Sequence, residues 1–397
     1  MRSNCLIVLL LTIAISACAP VASGSGVGGR LFIVQRETES LSVYDSVNRK
    51  ILPVKVSGLG NMRHATMVFS RDLRWGYVAT RNGLLSRIDL NTLEADVQIQ
   101  TSDNSIGLAI SQDGRFVAVA EYKPGGITIV AADTMEVVAR IPALTVVDGQ
   151  EVRSRVTGLG DTDGNRFVCG LMDGNEIWMI DASRPDFPVE KKWKTPAPNP
   201  FDAFQTSEGR FYVAGHFESD KLTLMDLWYP DAEPREITIR DMASEVERSR
   251  PIKMPHMAMW AASGDEAYIP VVGEKRLAVL DRKTWQYRKS IPLRGNPVYA
   301  AMSPAGREIW VTFSGSEDDR FIEIIDVETG AVRGQIEAGR KIFHLAFSPR
   351  GDEMYVSANQ DNRFIVIDTR TRQITGEYEI PSPSGIFGPW RAFQIGF

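Results

Sequence analysis

Four histidines carry most of the chemistry this chain could do, because imidazole can ligate a metal or move a proton near neutral pH. They are His64, His216, His256 and His344, in 397 residues. Four arginines join them as candidates: Arg63 beside His64, Arg81 in ATRNG, and Arg153 with Arg155 ahead of VTGL. Guanidinium pairs bidentately with carboxylates, so these arginines would suit a ligand carrying several of them. The net charge of -5 argues against nucleic-acid binding, which needs a basic face. Tyr122 lies in the turn AEYKPGG. Asp148, before Gly149, and Asp202, in NPFDAF, are candidate acids or bases. Cys5, Cys18 and Cys169 fit neither a disulfide framework, a cysteine zinc site nor a CxxCH attachment, so no covalent c-type haem is expected. A lone histidine at a strand end is usually structural and a lone arginine usually solvated. The fold must therefore bring these residues together.

The elements that would do so are repeats. With 43% hydrophobic and 24% charged residues the chain is an ordinary globular one, and 33 Gly with 21 Pro favour many turns over long helices. An apolar strand ending in aspartate recurs as SLSVYD, LLSRID, IWMID, LTLMD, LAVLD, IEIID and FIVID, with ITIVA filling the gap after LLSRID. Their ends fall at 45, 89, 131, 181, 226, 281, 326 and 368. Most are preceded by a second hairpin with a polar turn, such as ISQDGRFVAV and FSPRGDEMYV. Four short strands per unit, repeating at about 45 residues, predict a β-propeller blade, and the endings predict eight blades over residues 30–397. The first unit lacks its innermost strand. RAFQIGF (391–397) is expected to supply it, closing the ring and removing an open edge.

Antiparallel neighbours then sort the connections. With strands A to D counted outward from the axis, D–A and B–C connections share one face, and A–B and C–D turns the other. The A–B turns are near copies, whereas D–A and B–C connections vary, as expected of a face that carries function. All four histidines, the arginines and Tyr122 are predicted on the variable face. Cys169, in RFVCGLMD, is expected to be a buried apolar thiol.

Ahead of the repeats, Arg2 and the run LIVLLLTIAIS read as an export signal over residues 1–17, too short for a comfortable membrane span. Ile15-Ser16-Ala17-Cys18 resembles a bacterial lipobox, which makes Cys18 the expected lipidation site and residues 18–29 a flexible tether. Ala19 after the cysteine favours the outer membrane over the inner.

His64 before blade two, Pro255-His256 before blade six, the last blade GRKIFHLAFSPRGDEMYVSANQDNRFIVIDTRT and the end PSPSGIFGPWRAF resemble the haem d1 propeller family of cytochrome cd1 nitrite reductase. With a lipobox and no fused cytochrome c domain, the chain is similar to the haem d1 biosynthesis branch of that family. The resemblance implies His64 as axial ligand to a tetrapyrrole iron. Arg81 and Arg155 match basic positions of the pocket, and Arg63, Tyr122, Arg153 and His344 join them as expected binding residues. It further implies His256 as one of two distal histidines, with Asp202 in place of the other, and Asp148 as a third candidate for acid–base work. A missing distal histidine argues against nitrite reduction and leaves side-chain modification or delivery of a precursor such as dihydro-haem d1. Implied partners are the tetrapyrrole and periplasmic proteins of the pathway: NirN, nitrite reductase and a small cytochrome c. A second copy of the chain could pack on the side of the ring. The alternative is a propeller scaffold without a prosthetic group, using RDMASEVERSRPIKMP (240–255) as a docking lip. A lactonase-like propeller enzyme would need a convergent acidic metal site.

Overall fold

The aspartate that ends each repeat shapes the turn that follows it. Its carboxylate accepts backbone N–H groups two and three residues on: Val47 and Asn48 on Asp45 at 3.1 and 3.0 Å, Asn91 and Thr92 on Asp89 at 2.8 and 3.0 Å. Hydrogen bonds from Thr284, Thr329 and Thr371 likewise hold the Asp281, Asp326 and Asp368 carboxyls below the usual range. Where Ala131 breaks the pattern, Asp133 accepts from Thr134 N at 2.8 Å. The A–B turns use a hydroxyl instead: Ser70, Ser111 and Thr206 accept the amides of Trp75, Phe116 and Phe211 at 2.9, 3.0 and 3.0 Å. Two local devices, repeated, set the spacing of the strands.

A computed structural model describes residues 25–240 and 262–396. They form eight four-stranded antiparallel sheets, the expected eight-bladed propeller, and one extra two-stranded sheet. Blade one combines Arg30–Gln35, Ser40–Asp45 and Lys50–Ile51 with an innermost strand from the other end of the chain, Pro383–Phe387. Phe32 pairs with Phe387 and Ile33 with Ile386. Closure by a C-terminal strand therefore holds, but the strand is PSGIF and not RAFQIGF. Pro389 begins a 3-10 helix, Pro389–Phe393, because its ring fixes φ and it has no N–H to give a ladder.

The core lies between blades rather than within one centre. Eight clusters of buried side chains occupy the eight interfaces, from Phe32, Val43, Met67 and Phe69 between blades one and two to Leu31, Tyr44, Tyr355 and Phe364 between blades eight and one. Trp178 and Cys169 sit in the cluster between blades three and four, and burial pushes the Cys169 thiol up to about 12. Six innermost strands show a register shift against strand B: Asn104–Ile110, Val156–Thr162, Pro200–Gln205, Asn296–Met302, Ile342–Phe347 and Pro383–Phe387. Such bulges re-aim side chains at the axis.

Candidate functional site

The entry to blade two presents His64 on a tight turn. Ala65 N donates to Met62 O at 3.2 Å and His64 has φ 57°, at a position where glycine or asparagine is usual. Met62, only 1% exposed, anchors this turn in the cluster between blades one and two, while His64 itself is exposed. The same left-handed residue recurs at Asn199, Lys341 and Ser382, each just before an innermost strand. The conformation thus belongs to the blade entry and would be there without any ligand. Arg81 N donates to Asn61 O at 2.9 Å, joining the B–C turn of blade two to the loop that carries His64.

Three sequence-predicted residues meet around one ring. The Arg81 and Arg155 guanidiniums lie 5.1 and 5.5 Å from the centroid of Tyr122. Asp173 fixes Arg155, accepting from Nε at 3.0 Å and from the Arg155 backbone N at 2.8 Å. This hydrogen-bonded pairing raises the Arg155 pKa. Burial raises the Tyr122 phenol, against the pull of both arginines, so the ring stays neutral. Phe201 and Phe217 extend the aromatic wall, with ring centroids 6.4 Å (Tyr122–Phe201) and 5.5 Å (Phe201–Phe217) apart.

A second group lies on the inner strands of blades five, seven and eight. Asp202 sits in the bulge between Pro200 and Ala203. Burial, and then the Asp202 carboxylate, push the Tyr299 phenol up to about 12. Tyr299 packs edge-on against His344 at 5.7 Å, and Arg36 covers the Phe343 ring at 4.9 Å. His344 lies within Ile342–Phe347, and its Nδ1 accepts from Ile386 N at 3.3 Å. Arg36 and Arg63 are near enough that the Arg63 charge lowers the Arg36 pKa, after burial, and Arg63 reaches Glu37 at 3.3 Å.

Other expectations fare differently. Arg153 donates to the Gly125 carbonyl and lies 3.9 Å from Glu121, so it ties blade three to the entry of blade four. Asp148 is exposed at the tip of a hairpin, Leu144–Val147 with Gln150–Arg153, where Asp148 and Gly149 both have positive φ. That is the geometry an Asp-Gly pair supplies in a two-residue turn, a structural reason for this aspartate. His256, Cys18 and most of the 240–255 segment lie outside the described residues. Among the described residues, no three His, Cys, Asp or Glu converge to hold a metal, and no helix is long and apolar enough to cross a membrane.

His216 ends the strand Phe211–His216, where it is 0% exposed. Its ring nitrogens contact Pro198 O and Thr223 Oγ1, each at 2.7 Å, and burial lowers its pKa to about 4. The unfolded chain binds a proton near pH 6.5, before the native state does, so stability is complete above that pH and is lost as pH falls toward 4. The expected loss is about 3 kcal/mol. Urea melts at pH 7 and pH 4.5 should show it in the wild type and a smaller one in His216→Gln.

Sequence reasoning missed Arg36, Asp173, Phe201, Phe217, Tyr299 and Phe343. Arg36, Asp173 and Phe217 occupy B–C turns, the same topological position that selected Arg81 and Tyr122, and this signal could have found them. Tyr299 is inside a strand and no local pattern marks it.

The opposite mouth is crossed by the chain end. From blade one, residues Gly388–Gly396 run to blade four, where Gly396 N donates to Asp161 Oδ1 at 3.0 Å, while Arg71 donates to Ala392 O on the way. Between this tail and His344 lies a cavity of about 300 Å³ lined by Met302, Phe347, Ile386, Trp390 and Arg391. The chain end thus crosses the mouth opposite the arginine-bearing face.

A family model described as the cytochrome D1 heme domain matches residues 28–392. Protein NirF of Pseudomonas aeruginosa is 37% identical over 388 residues, covering 98% of both chains. Protein NirF of Stutzerimonas stutzeri is 37% identical over 372 residues, covering 94% of each. Among solved structures, dihydro-heme d1 dehydrogenase NirN in complex with DHE superimposes with a TM-score of 0.79 at 19% identity, covering 96% of this chain and 79% of its own.

Proposed function

The chain belongs to the cytochrome D1 heme domain family, and from that membership we propose that it is a periplasmic haem d1 biosynthesis protein that binds a late d1-type tetrapyrrole, such as dihydro-haem d1, at the arginine-bearing channel mouth. The observation that carries this reading is the Arg81–Tyr122–Arg155 stack, which places two cations and an aromatic face on the same rim as His64. A flat macrocycle with acidic side chains needs those three things: an apolar wall, guanidiniums for carboxylates, and one nitrogen donor for iron. In this reading His64 takes the axial position, while Arg63, Arg81 and Arg155 pair with ring carboxylates. Tyr122, Phe201 and His344 form the walls. Arg153 acts by holding the blade-four entry in place.

The macrocycle supplies its own iron and redox chemistry. What the chain would add is orientation and proton handling. Asp202 beside Tyr299, with His256, is the set proposed for acid–base work on a ring side chain; Asp148, at an exposed hairpin tip, is left out of it. The likeness to a dehydrogenase structure in complex with DHE supports a tetrapyrrole-modifying role, whereas a carboxylate at Asp202 does not favour nitrite reduction. Delivery to NirN, to nitrite reductase or to a small cytochrome c is the accompanying partner proposal, and Cys18 the proposed lipid attachment to the outer membrane.

The test is spectroscopic. Dihydro-haem d1 titrated into the mature protein should give a shifted Soret band in the wild type, and His64→Ala should bind with an altered axial-ligand spectrum. An unchanged spectrum on mixing with the wild type overturns the function. A wild-type spectrum in the variant overturns only the ligand assignment.

A further inference from the structure

The exposed large apolar side chains are not spread evenly over the ring. Eleven are exposed among the described residues, and only Val54, Leu144 and Val146 belong to D–A connections on the site face. On the opposite face Val47 (70%), Trp228 (51%), Tyr229 (63%) and Phe393 (66%) project from C–D turns and the chain end. Trp228 Nε1 reaches Asp163 Oδ2 at 3.2 Å, in the A–B turn of blade four, which fixes the side of the ring on which it stands. Val47 is in blade one and Trp228 with Tyr229 in blade five, diametrically opposed in an eight-bladed ring, with Phe393 on the tail between them. Val137, Val332 and Ile374 stand at the starts of outermost strands, along the rim of the same face. Three separated points define a plane, and aromatic side chains favour the lipid–water interface.

The chain's beginning selects what that plane meets. Ser25 N donates to Asp45 Oδ2 at 2.8 Å and Ser46 N donates to Gly29 O at 2.8 Å, so the N-terminal segment leaves from the C–D face, opposite the site. Six residues separate Cys18 from Ser25, and the seven Cα-to-Cα steps reach about 25 Å at full extension. A lipid on Cys18 therefore holds this face toward the bilayer.

We propose that the propeller lies flat on a lipid surface by this face, with Trp228 and Tyr229 in the interfacial layer, and that the tetrapyrrole mouth points away from the membrane. The distance argument rests on the Cys18 anchor of the proposed function; the apolar face does not. A net charge of -5 gives no attraction to anionic lipids, so the contact depends on apolar insertion and changes little with salt.

The experiment is flotation of the full chain with phosphatidylethanolamine–phosphatidylglycerol vesicles, together with quenching of tryptophan fluorescence by brominated lipid. Wild type is compared with Trp228→Ala/Tyr229→Ala, each with and without Cys18→Ser. The wild type should float and be quenched. In the Cys18→Ser background the double variant should partition at least tenfold less than its parent, equally in 0.1 M and 0.5 M salt. If the acylated wild type and double variant float alike and neither is quenched, the face is wrong and the anchor stands. If Cys18→Ser floats as well as wild type and the double variant does not, the anchor is wrong and the face stands. Quenching that appears only after a periplasmic extract is added assigns the face to a protein and overturns the proposal.

Discussion

Ending the chain at Ser382 is expected to eliminate soluble folded protein, whereas ending it at Gly388 should leave a folded ring. The first truncation removes Pro383–Phe387, the innermost strand of blade one, and with it Ile386 (1% exposed) and Phe387 (6%). Burial of those two side chains contributes roughly 3–6 kcal/mol, comparable to the whole stability of many domains. It also bares the inner edge of Arg30–Gln35, a ready template for pairing with another molecule. The clusters between blades eight and one and between blades one and two lose their shared wall, so the ring opens instead of merely loosening. The second truncation keeps that strand and removes only the tail across the lower mouth. It should lower the melting temperature modestly, through loss of the Gly396–Asp161 and Arg71–Ala392 bonds. Soluble yield and a thermal melt of both chains decide the matter. A folded chain ending at Ser382 would show that closure does not depend on this strand.

That contrast also locates where sequence reading ends. The eight blades were legible because the devices that set them are local: an aspartate that caps its own turn and a Ser or Thr that accepts an amide five residues on act within one hairpin. The closing strand was legible only in kind, since PSGIF and RAFQIGF are both short apolar segments and only pairing across the whole chain chooses between them. Asp-Gly at 148–149, between LTVV and QEVR, carries a hairpin signal that the candidate-acid reading of Asp148 leaves unused. His216 is one of four candidate histidines by sequence, and its two short contacts and full burial make it structural. Arg81, Tyr122 and Arg155 are each placed on the correct face by topology, yet their meeting over one ring joins a turn of blade two, the end of strand Phe116–Lys123 in blade three and the entry to blade four. Tyr299 and Asp202 depend on bulges at the axis, a tertiary feature with no counterpart in the local pattern.

Replacing Arg81 and Arg155 together should weaken binding of a carboxylate-bearing tetrapyrrole by a factor of about 100 or more. A hydrogen bond to a charged group is worth about 1.5–3 kcal/mol, so each substitution to glutamine should cost about tenfold or somewhat more. The two arginines flank the same ring at 5.1 and 5.5 Å and repel one another, so their effects should not add independently. Loss of one relieves repulsion on the other and so cushions each single loss, and the double variant should bind somewhat worse than the product of the single losses implies. Tyr122→Leu keeps both charges and removes the surface that aligns them; it should cost less than the double change and make the two arginine effects independent. Asp173→Asn should act through Arg155, because Asp173 holds both its side chain and its backbone and is a positioning residue. The control is the same macrocycle with its carboxylates esterified. Against that ligand the wild type should bind about as weakly as the double arginine variant, and the arginine substitutions should have little further effect. Equal losses for the acid and the ester would mean that the arginines shape the mouth and do not read charge, and the carboxylate-pairing role would fall.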